Sequence, residues 1–120
     1  MSSSFSKKVR AKLQTISPIR VKEWAMHIQH CLEELDGRQL FKEYLKEGNM
    51  TSYIHVVELW QKADKAIWDN ELQELINEVD DIDCNEVMQI PDDRKYEYIK
   101  TECCQILEGI HSTFIQCVNE

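Results

Sequence analysis

Residues 21–35 read Val-Lys-Glu-Trp-Ala-Met-His-Ile-Gln-His-Cys-Leu-Glu-Glu-Leu and carry the clearest periodic signal in the chain. Val21, Trp24, Ala25, Ile28, Cys31, Leu32 and Leu35 recur at the three- and four-residue spacing that lines one face of an α-helix. Ser17-Pro18 supplies a start. The hydroxyl can take up a free backbone N–H, and Pro at the first helical position lacks an N–H that would have no partner there. Asp36-Gly37 is expected to stop the run.

The same period continues on both sides. Toward the N-terminus, Phe5, Val9, Leu13 and Ile16 share a face from which Lys7, Lys8 and Arg10 fall away, with Lys12 at its edge. Residues 1–16 therefore read as a short basic amphipathic arm. Packing of its apolar face against the rest of the chain is the first reading, and binding to an anionic membrane surface through Lys7, Lys8, Arg10 and Lys12 the second. Toward the C-terminus, Leu40, Phe41, Tyr44 and Leu45 form a helix that ends near Gly48-Asn49. Thr51 opens another with Tyr53, Val56, Val57, Trp60, Ala63 and Ile67 on one face. A further helix, beginning after Asp69 or Asn70, carries Leu72, Leu75, Ile76 and Val79. An acidic connection, residues 80–86, leads to a weak helical turn and Pro91. The last pattern starts at Asp92-Asp93 and runs through Tyr96, Ile99, Cys103, Ile106, Leu107 and Ile110, with Phe114, Ile115 and Val118 after Gly109.

Composition agrees with an all-α domain. The 120 residues are 42% hydrophobic and 30% charged, with only 3 Gly and 2 Pro, too few turn residues for a sandwich or barrel. Residues 17–120 read as one domain. Net charge is −8, but residues 1–22 hold six bases and no acid while residues 23–120 hold eight bases and all 22 acids. An acidic body of −14 repels nucleic-acid phosphate and suits a partner with a basic face. Five cysteines without a paired spacing suggest reduced thiols. The early residues lack the apolar run of a signal peptide, so a cytoplasmic location is expected, with the arm a further means of holding the protein at the plasma membrane.

No residue pattern supplies catalysis, and no cofactor or metal is expected. Three isolated glycines build no phosphate loop. His27, His30 and Cys31 lie within a helical turn, yet no second ligand pair follows at zinc spacing. Asp81, Asp83, Asn85 and Asp92 fall at positions 1, 3, 5 and 12 of an EF-hand-like loop. Glu86 stands where that loop needs Gly, Pro91 precedes the last ligand, and Asp92 is short for a bidentate one. A solvated acidic connection is the expected reading; a calcium-binding helical protein is the third functional alternative.

Val21-Lys22-Glu23-Trp24-Ala25, Leu32, Gly37 and Leu40-Phe41-Lys42-Glu43-Tyr44-Leu45-Lys46 together resemble the RGS box, the helical domain of regulators of G-protein signalling. The order matches that family's Trp-bearing helix, a Gly about a dozen residues later, and a Phe-x-x-Phe/Tyr-Leu helix before a polar loop. The resemblance covers about residues 18–118 and is strongest through Lys46. It implies about nine short helices, including an antiparallel four-helix subdomain. It also implies binding to an activated Gα subunit and faster GTP hydrolysis there, by holding the Gα switch regions rather than by new chemistry. The family's contact positions map onto Ser52, Tyr53, Asn85, Ser112 and Thr113; Asn85 keeps the family's Asn, and the residue types at the other four differ from the family's. A non-catalytic scaffold that keeps the fold is accordingly the alternative.

Overall fold

In the computed structural model, residues 7–79 and 81–118 are described. Phe5 of the arm's apolar face and Asp80 of the acidic connection lie outside them. Eight helices, and no strand, are found among the described residues: α1 (Lys7–Gln14), α2 (Pro18–Met26), α3 (Ile28–Glu33), α4 (Leu35–Glu47), α5 (Thr51–Asp64), α6 (Asn70–Glu78), α7 (Cys84–Gln89) and α8 (Asp92–Val118). The chain divides into two units. The first holds the described residues up to Met50 and those from Glu108 onward, and the second runs from Thr51 to Leu107.

In the first unit, the stripe that reads as one helix is three. The chain is extended at His27 (φ −150°, ψ 140°) and again at Glu34 (φ −90°, ψ 133°). Both breaks are stabilised by side chains that the periodicity does not register. The last carbonyls of α2 have no helical N–H to meet, and two imidazoles meet them instead: His30 Nδ1 lies 3.2 Å from the Glu23 carbonyl, and His111 Nε2 lies 3.0 Å from that of Trp24. At the second break, Glu34 accepts from Trp24 Nε1 (2.9 Å) and from Arg20 Nε (2.7 Å). Asp36 takes the Arg20 Nη2 at 2.9 Å.

Asp36-Gly37 does not end a helix; it lies in the first turn of α4. Gly37 is there because nothing larger fits. A Cβ would come within 2.7 Å of the Cys31 carbonyl and 2.9 Å of Trp24 Cε2. The fully buried Trp24 indole thus rests against the α4 backbone at Gly37, in a unit whose core also holds Leu32, Leu40, Phe41 and Leu45, all at most 1% exposed. Phe41 and Phe114 rings approach to 5.1 Å between centroids, and Tyr44 stands 5.5 Å from Phe114. Helix α1 joins this unit: Val9 is 1% exposed, Arg10 donates to the Cys117 carbonyl and Lys12 to Gln39. The boundary between arm and domain expected after residue 16 therefore falls inside the unit.

Helix α4 ends in a Schellman motif, with Met50 N–H on the Leu45 carbonyl and Asn49 N–H on that of Lys46. Of the Gly48-Asn49 pair it is Asn49 that takes the left-handed conformation (φ 57°). The second unit opens with α5, which closes the same way around Ala66 (φ 55°). Asp69 caps α6 by accepting from Leu72 N–H at 2.8 Å. Val56, Val57, Leu59, Trp60, Leu72, Ile76, Val87, Ile99, Cys103 and Leu107 form its core. No helix among the described residues is long and apolar enough to cross a membrane.

Candidate functional site

The residues assigned to partner contact divide between the units. Ser52 and Tyr53 lie in the first turn of α5, Asn85 in the first turn of α7, and Ser112 and Thr113 near the end of α8. Ser52, Asn85 and Ser112 are exposed, and Tyr53 and Thr113 are half-buried.

In the second unit, Ser52 and Tyr53 share a hollow of about 270 Å³ with Val56 of α5, Glu78 and Val79 at the end of α6, Asp81 beyond it, and Ile106 of α8. Asn85 lines a shallower depression with Ile76, Asn77, Val79, Ile82, Asp83 and Cys84. Val79, just past the end of α6, lines both. Val56, Val79 and Ile106 give the first hollow its apolar lining, and Glu78 and Asp81 bring carboxylates to it. Glu78 Oε2 is held by His55 Nδ1 at 2.7 Å. Asp81 is exposed and has no ion pair or hydrogen bond among the described residues.

In the first unit, Ser112 lines a hollow of about 460 Å³ with Ala25, Met26, His27, Ile28, Glu108, Gly109 and His111. Met26 is 69% exposed there, and nothing stands within 4 Å of a Cβ built on Gly109. His111 is buried, which pulls its pKa below the usual imidazole value against the opposing effect of the Trp24 carbonyl. The Ser112 hydroxyl donates back to the Glu108 carbonyl at 3.3 Å.

No family model, curated protein or solved structure matches the chain. The site must therefore be read from its own residues. Those residues offer surfaces that can bind and position a partner. Burial pushes the Cys31 thiol up to about 12, where it donates to the Gly37 carbonyl, and raises Cys103 as well. Such thiols pack as small hydrophobes. No group of three or more His, Cys, Asp or Glu among the described residues is placed to hold a metal ion. In the acidic connection, Asp83 is spent on capping α7 through the Asn85 N–H at 2.9 Å, and Asp92 pairs with Lys95 at 2.6 Å.

The basic residues assigned to the arm are partly engaged. Lys7 and Lys8 are exposed, whereas Arg10 is half-buried on the Cys117 carbonyl and Lys12 reaches Gln39. Periodicity alone missed Glu78, Val79, Asp81 and Ile106 as neighbours of Ser52 and Tyr53. A carboxylate pair flanking the apolar end of α6 was the one local hint.

Proposed function

We propose that the chain is an RGS-homology domain that regulates signalling by binding a protein partner, with an activated Gα subunit the first candidate. The observation that carries this reading is the contact between Trp24 and Gly37. These are the two positions on which the resemblance most depends, and a Cβ at Gly37 would fall 2.9 Å from the Trp24 ring. A Trp-bearing first helix and a Gly further on make physical sense together when the indole must lie on the next helix's backbone. Phe41, Tyr44 and Leu45, the remaining landmarks, are all in the core of the same unit. The second unit adds support. It contains α5, α6, α7 and the first part of α8, four helical segments, the number in the subdomain the resemblance implies.

In this reading Ser52, Tyr53, Asn85, Ser112 and Thr113 contact the Gα switch regions, and any acceleration comes from holding those segments in the arrangement that hydrolysis requires. A scaffold without such acceleration is the second reading. Tyr53 favours it: half-buried and without an amide, it stands where the family carries Asn. Single-turnover GTP hydrolysis by purified Gα subunits separates the two. A faster rate on adding the chain supports the activator. Complex formation with an unchanged rate selects the scaffold, and absence of both across the major Gα classes rejects the G-protein reading.

A further inference from the structure

We propose that the hollow bounded by Tyr53, Val56, Val79 and Ile106 seats an arginine side chain of a protein partner, its guanidinium directed to Asp81 and Glu78. The inference rests on reading this hollow as partner-facing, and it adds the chemistry of the occupant.

Size narrows the choice. At about 270 Å³ the hollow is below the range of ordinary small-molecule sites, so a single side chain suits it better than a cofactor. Its lining suits a long amphipathic side chain, because it combines the apolar Val56, Val79 and Ile106 with the carboxylate-bearing Glu78 and Asp81.

Charge selects a cation. Residues 51–107 hold five bases against fourteen acids, a net −9. Three of those bases are committed elsewhere: Lys62 to Asp69, Lys95 to Asp92, and Lys100 to Asp64. None of the five lines the hollow. Glu78 meets only the imidazole of His55, through one oxygen, and Asp81 meets no cation among the described residues. Among the described residues, then, the imidazole of His55 is the one group that answers the negative charge at this mixed polar and apolar hollow.

Arginine fits better than lysine. Its planar fork can address two carboxylates at once, it sheds water more readily than an ammonium, and its face stacks on an aromatic ring such as Tyr53.

The test uses the ¹⁵N-labelled full chain and the peptide acetyl-Leu-Arg-Leu-amide, with the citrulline peptide as its neutral counterpart. The arginine peptide should give saturable shifts at the amides of Ser52, Tyr53, Val56 and Val79. Affinity should fall about tenfold with citrulline, which loses attraction to both carboxylates, and about fivefold in Asp81→Asn. Citrulline binding within about twofold of arginine, or shifts confined to exposed acids elsewhere on α6 such as Glu71 and Glu74, would overturn the proposal. The probe contains no part of Gα. Capture of the peptide by a chain that ignores Gα upholds this inference and rejects the G-protein reading; Gα binding without discrimination against citrulline does the reverse.

Discussion

Two glycines in helical segments have opposite physical meanings. Gly37 has no room for a methyl group, since the Cys31 carbonyl and the Trp24 ring both lie within 3.0 Å of the added Cβ position. Gly37→Ala should destabilise the chain by about 1–3 kcal/mol through overpacking, read as a lower urea midpoint. Gly109 faces open space within α8, so Gly109→Ala should raise stability by about 0.5–1 kcal/mol in the same assay. Composition and spacing marked both only as punctuation. What separates them is the indole of Trp24, which is thirteen positions from Gly37 and absent from any local pattern around it. His111 was equally hidden. Burial depresses its pKa below 6.5, so the folded state resists the proton that the unfolded chain accepts. Stability should be fully present above about pH 6.5 and fall as the pH drops through the folded-state pKa. His111→Gln, which keeps a donor for the Trp24 carbonyl, should remove that part of the pH dependence in urea titrations between pH 5 and 7.5.

Helix ends were legible where a short polar side chain acts locally. A helix was expected to begin after Asp69 or Asn70, and Asp69 is the residue that caps α6, by accepting the Leu72 N–H. The final strong pattern begins at Asp92, as the paired carboxylates at a helix's positive end suggested. The breaks at His27 and Glu34 were not legible, because the apolar spacing of residues 21–35 runs through them without interruption. They form because tertiary partners replace helical hydrogen bonds: His30 and His111 at α2's last carbonyls, and Glu34 at Trp24 and Arg20. Removing the Glu34 carboxylate strands the buried Trp24 N–H. Glu34→Ala should therefore cost about 1–3 kcal/mol, the penalty of an unmet buried donor, and blue-shift the fluorescence of Trp24 in a variant carrying Trp60→Phe and Trp68→Phe. Glu34→Gln, which retains an acceptor, should lose much less.

The chain as a whole joins two unlike units. Residues 51–107 carry −9 and the remainder carry nine bases against eight acids, so the acidity that composition assigned to everything after residue 22 is concentrated in the second unit. The all-helical class followed from period and from the scarcity of Gly and Pro. The division into units did not, because it brings residues 108–118 into the unit formed by residues 7–50, and no local pattern records such a return. The candidate site shows the same limit. Ser52 and Tyr53 were named from a motif position, but Ile106 and the α6 terminus reach them only through the fold. The G-protein reading stands on the Trp24–Gly37 contact and its neighbours, and it is tested most directly by state-dependent affinity. Purified chain should bind Gα loaded with GDP and aluminium fluoride at least about tenfold more tightly than Gα with GDP alone, since only the former presents the switches as in the transition state. Equal affinity for the two states, or binding to neither, would contradict it.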